Sequence, residues 1–333
     1  MAEVSRLELC DGGVRLRREP WPRLDGSPSA IVSPVLAGLC SSDLKEVRRA
    51  REARSDFGHE VVGVVHASNV PGLAPGARVC LDPHVPVRRT TAFATAMLVA
   101  GEESAVCAAL PAAPAGAPDE RAVFLEPLAC VAHCATKVPA GANVAIVGAG
   151  TAGVLLSVLL RLAGCQVAIV NRGQERIDAL RGLRLLAGTR LPDAPGVFET
   201  VVVTTATLDD AGFERAWELL PQTGGRLVLF GGIPGGWRVP GTGLALDALR
   251  RREDVMTLEF AGKRAVVAGS HGPTAADFSA AATVLAAPLP WTATHVEELI
   301  VERLDLQGLL STLNAAAASG LDPVGKRVVR LAP

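Results

Sequence analysis

Gly148-Ala149-Gly150-Thr151-Ala152-Gly153 has the spacing G-x-G-x-x-G, which suits the backbone to a phosphorylated cofactor. The first glycine permits a tight turn and the second lets the chain approach a pyrophosphate. The third lets a helix pack closely on a strand. The helix that follows this turn points free N–H groups and a partial positive charge at the phosphates, and Thr151 and Ala152 within the turn join the glycines as cofactor-binding candidates. Asn171 and Arg172 stand at the end of the next apolar run. NAD-binding sites place Asp or Glu there for the ribose 2′-hydroxyl. A neutral amide removes the repulsion toward a 2′-phosphate, and a guanidinium can pair with it. NADP is therefore expected over NAD, with a dual-specificity site and a solvated Arg172 as the alternative. Arg176 either reinforces the phosphate site or faces solvent. Thr205 and Gly231, near the ends of two later apolar runs, complete the cofactor-binding candidates.

The elements needed to position this turn surround it. Val144 to Val147 reads as a buried parallel strand, Val154 to Ala163 as a helix closed by Gly164, and Gln166 to Val170 as a second buried strand. Residues 144 to 160 carry no charge, so a transmembrane helix is the competing reading. The turn glycines, Arg161 and the immediate second strand argue against it, and a purely structural glycine turn is the other bland reading. Further on, Glu199 to Thr205 and Gly225 to Phe230 read as strands, with Phe213 to Leu220 a helix between them. Strands alternating with helices predict a doubly wound parallel sheet. Upstream, Ile31 to Leu36 reads as a strand interrupted by Pro34, and Val61 to Val65 and Arg78 to Leu81 as strands. Ser42 or Asp43 is expected to cap a short helix. Residues 84 to 104 show no period, and Arg121 to Lys137 reads as helical with a break near Pro127. Thr274 to Ala287 is an Ala-rich helix and Gly325 to Leu331 a closing strand.

Composition narrows the function classes. A net charge of −1 supplies no basic field for nucleic acid or a membrane surface. Residues 1 to 30 are charged and lack an apolar signal segment, and seven cysteines without a disulfide pattern suit a reducing compartment, so a cytoplasmic location is expected. The absence of tyrosine rules out a catalytic Tyr–Lys pair. At 333 residues the chain has room for two domains.

Six pieces in order resemble the zinc-dependent medium-chain dehydrogenase/reductase family, in its polyol and glucose dehydrogenase-like branch. They are Gly38-Leu39-Cys40-Ser41-Ser42-Asp43, Gly58-His59-Glu60, Pro75-Gly76-Ala77-Arg78-Val79, Leu125-Glu126-Pro127-Leu128, the glycine turn, and Gly325-Lys326-Arg327-Val328-Val329. The resemblance implies an α/β protein: a GroES-like β-rich catalytic domain at 1–131 and 269–333, and a Rossmann domain at 132–268. It also implies hydride transfer between NAD(P) and a secondary alcohol of sugar, polyol or cyclitol type, with the alcohol or its ketone as small-molecule partner. A homodimer or homotetramer would form by pairing of the strand Ala265 to Ala268 with its copy.

By the same resemblance Cys40 and His59 are zinc ligands, and either Glu60 or Glu126 completes the shell, directly or through a bound water. One thiolate, one imidazole and a carboxylate make a reasonable catalytic zinc shell with an open position. A buried histidine and a small apolar cysteine are the bland reading of the same residues. Ser42 occupies the place of the family's relay hydroxyl. Lys45 stands where many relatives have a histidine, and is either the outer end of the relay or a surface charge. Cys130, His133 and Cys134, spaced on one helix face, are read as packing residues. Cys80 and Cys107 are too few for the family's four-cysteine structural zinc, so one zinc per chain is expected. The competing functions are a zinc-free quinone or enoyl reductase of the same fold and a non-catalytic nucleotide-binding module.

Overall fold

The computed structural model describes residues 3–10, 13–48, 56–192, 196–286, 295–319 and 325–331. It divides into two units, one of residues 1–126 with 278–333 and one of residues 127–277. The first unit opens with the antiparallel pair β1 (Glu3–Cys10) and β2 (Gly13–Pro20). There follow β3 (Ser29–Leu39), α1 (Ser41–Val47), β4 (Glu60–Ser68) and β5 (Arg78–Cys80). Next come β6 (Arg88–Arg89), β7 (Met97–Ala100), α2 (Glu103–Ala109), α3 (Asp119–Ala122) and α4 (Leu125–Ala135). β3 runs straight through Pro34. Proline has no N–H to give a ladder, and the register with β4 shifts between Pro34 and Leu36 instead of the strand ending. The helical break expected near Pro127 falls earlier, between α3 and α4. Pro127 lies in the first turn of α4, where an N–H would have no helical partner.

The second unit holds β8 (Asn143–Val147), α5 (Thr151–Leu162), β9 (Gln166–Val170), α6 (Gln174–Leu180) and β10 (Thr200–Val203). After these come α7 (Asp210–Glu218), β11 (Thr223–Leu229), α8 (Leu246–Arg252), β12 (Val255–Phe260) and β13 (Lys263–Gly269). Five strands pair in parallel in the order β13-β11-β10-β8-β9, and β12 adds antiparallel to β13. Beyond β9 the sheet is reduced to one bridge, Ala168 with Arg190. Val201, Val202 and Val203 are almost wholly buried, as in a sheet covered on both faces. Phe213 and Trp217 of α7 pack with Phe260 on that sheet, and the Trp217 indole donates to the Phe260 carbonyl at 2.9 Å. The expected self-pairing of Ala265 to Ala268 is overturned: β13 is bonded on both sides, and β12 is the edge. Among the described residues no helix is long and apolar enough to cross a membrane.

The helix α9 (Ala275–Ala286) leads back to the first unit, which gains β14 (Ile300–Leu304), α10 (Leu306–Ser319) and β15 (Lys326–Arg330). Its sheet runs β14-β15-β3-β4-β5, with β7 also on β3 and β6 on β7. Leu7, Phe57, Phe93, Met97 and Leu313 lie in its core.

Candidate functional site

In the first unit the ends of three neighbouring strands converge. Gly38 of β3 pairs with Glu60 at the start of β4, and with Val328 of β15 on its other side. Cys40, His59, Glu60 and Lys326 are thereby brought together, although residues far apart in the chain supply them. Donor atoms of Cys40, His59 and Glu60 lie within 4.8 Å of one another. Glu126 is buried at the second position of α4 and is not part of that group.

The helix after Cys40 braces this cluster. Cys40 is the N-cap of α1, correcting the expectation that Ser42 or Asp43 caps it, and its N–H donates to Asp43 Oδ2 at 2.9 Å. Asp43 Oδ1 accepts from the Gly58 N–H at 3.0 Å and lies 3.4 Å from His59 Nδ1. Gly58 has φ +77°, a conformation that costs glycine little. Burial would raise the Asp43 carboxyl, but the His59 charge and the two backbone donors outweigh it and hold it below its ordinary value. Burial would lower His59, but Asp43 and then Cys40 outweigh it and hold the imidazole well above its usual value. Ser42 Oγ lies 3.3 Å from His59 Nε2. Lys45 is half-buried on α1.

This donor chemistry fits a divalent metal. A thiolate and an imidazole are zinc ligands, and a carboxylate on the second ring nitrogen is the usual means of orienting such a histidine. Nδ1 is committed to Asp43, which leaves Nε2 for the metal. Sequence reasoning gave Asp43 only as a candidate cap and missed its bracing of His59, although its place three residues after Cys40 is that of a reciprocal cap. It also passed over Lys326. Lys326 Nζ donates to both Glu60 oxygens, at 2.7 and 2.6 Å, and to the Leu39 carbonyl at 3.3 Å.

In the second unit the glycine turn joins β8 to α5. Gly148 has φ +128°, and a Cβ there would meet Thr204 Oγ1 at 2.7 Å. A Cβ on Gly153 would fall on the Gly148 carbonyl oxygen, and one on Gly231 would fall on the Thr205 carbonyl oxygen. Gly150 caps α5 with nothing within 4 Å of its would-be Cβ. No side chain caps α5, so the N–H groups of its first turn, at Thr151 and Ala152, suit a phosphate. Gly148, Thr205 and Gly231 follow the carboxyl ends of the neighbouring strands β8, β10 and β11, and β8 is where the strand order reverses. Ligands of such sheets bind at that point. Thr205 Oγ1 is buried and lacks a hydrogen-bond partner, as a polar contact awaiting a ligand would be.

Asn171 follows β9 with its amide spent on the turn. Oδ1 accepts the Ala149 N–H at 3.2 Å, and Nδ2 donates to the Gly173 carbonyl at 3.0 Å. The Arg172 side chain is 86% exposed and lies 3.4 Å from Asp209 Oδ2. Arg176 is half-buried on α6.

The cluster read from Cys130, His133 and Cys134 divides. Cys134 is buried, and burial raises its thiol to about 12. His133 does more than pack. Its Nδ1 lies 2.9 Å from Asp277 Oδ2 and its Nε2 2.6 Å from Glu253 Oε1.

Residues 26–140 match the alcohol dehydrogenase GroES-like domain, and residues 141–220 match an FAD binding domain. The second match spans β8-α5-β9, the turn-and-helix phosphate site that flavin and nicotinamide proteins share. No curated protein matches the chain. Among solved structures, one described as a zinc-binding dehydrogenase from Sinorhizobium meliloti bound to NADP superposes with a TM-score of 0.73 at 21% identity, covering 99% of this chain and 100% of the other. Galactitol-1-phosphate dehydrogenase from Escherichia coli gives 0.71 at 20% identity over 98% and 99% of the chains. A thermostable alcohol dehydrogenase from Pyrobaculum aerophilum gives 0.73 at 19% over 99% and 100%. Residues 26–140 thus form an alcohol dehydrogenase GroES-like domain, and the chain as a whole has the fold of these three dehydrogenase structures.

Proposed function

We propose that the protein is a zinc-dependent dehydrogenase that exchanges a hydride between NADP and a secondary alcohol of sugar, polyol or cyclitol type. The observation that carries this reading is the convergence of Cys40, His59 and Glu60 donor atoms beside the bracing carboxylate of Asp43. Cys40 and His59 Nε2 would hold the zinc, with a carboxylate from Glu60 or Glu126. A zinc held there would supply Lewis-acid chemistry, lowering the pKa of an alcohol brought to it. The Ser42 hydroxyl, beside His59, takes up the departing alcohol proton, and Lys45 is the candidate for passing it outward. The α5 N-terminus, Gly150 and Thr205 receive the dinucleotide. The protein acts on the small molecule as a homodimer or homotetramer.

Asn171 and Arg172 favour the 2′-phosphate because neither repels it. The exposure of Arg172 and the nearby Asp209 make the preference smaller than a buried pair would give. An exposed pair contributes at most about 1 kcal/mol, or roughly fivefold. The test combines zinc analysis with a panel of polyols, sugars and alcohols assayed with NADP and NAD, and a binding titration with FAD. One zinc per chain and NADP-linked turnover are expected. An Asn171→Asp, Arg172→Ala double mutant should move kcat/KM about fivefold toward NAD. A protein that holds no zinc, or that binds FAD in place of NADP, would overturn the reading.

A further inference from the structure

His59 follows a glycine in the left-handed region, a residue type whose backbone turns freely unless something holds it. Residues 84 to 104, which show no period in the sequence, supply the hold. The Gly58 carbonyl shares a rigid peptide plane with the His59 nitrogen, and it accepts from the Arg89 guanidinium at 2.9 Å. One residue earlier, the Phe57 carbonyl accepts from the Thr91 hydroxyl at 2.8 Å and from the Ala92 N–H at 3.3 Å. The Phe93 ring closes on the glycine itself, where a Cβ would meet it at 2.9 Å. The Arg89 side chain is only 6% exposed, with its Nε 3.9 Å from Asp56, and Thr91 is 1% exposed. Arg89 rides on β6, which pairs with β7, and β7 pairs with β3, the strand that leads into Cys40. Thr90 ties the next step to β7 as well, exchanging hydrogen bonds of 3.0 Å with Leu98. The guanidinium is thus anchored to the same sheet that carries the other zinc-ligand candidate.

We propose that Arg89 and Thr91 are positioning residues for His59, fixing the two peptides before it so that its Nε2 stays turned to the metal. The inference rests on the metal reading above. Asp43 orients the ring at Nδ1, whereas Arg89 and Thr91 fix the backbone from which the ring hangs. Gly58 is buried, so its carbonyl without the guanidinium lacks a donor, a state that drives the peptide to turn until it finds one. A turn of that peptide carries the His59 side chain with it. A charged donor holds such a carbonyl more strongly than a neutral one.

The test loads the full-length protein with Co(II) and reads the visible d–d spectrum, and the affinity by competition with a chromophoric chelator. Arg89→Met removes the guanidinium and should alter the spectrum and weaken binding by about 10- to 100-fold, the range over which groups outside the ligand shell act. Thr91→Val should act in the same direction. Thr91→Ser keeps the hydroxyl and should bring the affinity back to within about threefold of wild type. Val106→Ala, in the core of the same unit, is the control for lost stability: its Tm should fall while spectrum and affinity stay as in wild type. An Arg89→Met protein with the wild-type spectrum and affinity would overturn the inference. So would a Val106→Ala protein that loses as much affinity as Arg89→Met, because general loosening would then explain the loss. If Arg89→Met does not fold, the Thr91 pair decides, and a serine variant that binds no better than the valine one overturns the inference. Wild-type protein that takes up no Co(II) would overturn the metal reading itself, an outcome distinct from these.

Discussion

Replacing Gly153 by alanine tests whether the third glycine of the turn is a packing device. The new Cβ would fall on the Gly148 carbonyl oxygen and lie 3.0 Å from Thr204 Oγ1. That oxygen cannot swing aside. It belongs to the residue following β8, which is paired to β9 and β10, and it also accepts the Thr204 hydroxyl at 3.2 Å. Helix α5 must therefore lift from the sheet. Overpacking costs about 1–3 kcal/mol, and a backbone obstacle places this change near about 3 kcal/mol. At roughly 2–4 °C per kcal/mol, Tm should fall by about 6–12 °C. Gly150→Ala is the control. Its Cβ meets nothing within 4 Å and its φ is −90°, so stability should change by less than about 0.5 kcal/mol. It should instead weaken NADP, because the methyl stands where the pyrophosphate approaches. Differential scanning fluorimetry and an NADP titration on both variants decide the matter. A Gly153→Ala protein melting within about 2 °C of wild type would refute the packing argument.

Ser42→Ala should lower kcat by about 10²-fold through loss of a proton-transfer group, with metal content unchanged by elemental analysis; wild-type kcat would remove Ser42 from the relay. The Asp277 carboxyl should show in the acid limb of stability. Burial raises it, but the Thr274 hydrogen bonds and His133 outweigh burial and hold it below its ordinary value. A depressed carboxyl contributes stability that is present above its unfolded pKa of about 4 and is lost as pH falls through the depressed value. Asp277→Asn should therefore flatten the loss of Tm below about pH 4, and an unchanged acid limb would contradict this. Ala261→Gly should stabilise the protein by about 0.5–1 kcal/mol. Ala261 has φ +47° and Gly262 φ +73° in the two-residue turn between β12 and β13, where a side chain is strained; urea unfolding measures the gain.

The glycine turn and its flanking strands were legible in the sequence because every contact that defines them is local. Val144 to Val147, the glycines and Val167 to Val170 lie within one strand-turn-helix-strand segment, and a fully apolar strand has few places other than a sheet covered on both faces. The parallel sheet followed from the alternation of such segments. The strand β12, the helix α8 and the strand β14 carry charged residues and little apolar periodicity, so they were missed. With β12 missed, β13 looked like an edge. The residues that bind one another across the chain were beyond sequence reasoning for a different reason. Lys326 reaches Glu60 because β15 and β4 both flank β3, and no spacing pattern records a separation of 266 positions. Asp43 bracing His59 depends on the N-terminus of α1 lying against Gly58, which only the folded sheet arranges. Residue type determined which chemistry the chain could perform, since cysteine, histidine and carboxylate donors and an uncharged strand end are local facts. Tertiary structure decided which carboxylate braces the histidine and which is held by a lysine, because those contacts exist only once the neighbouring strands are in register.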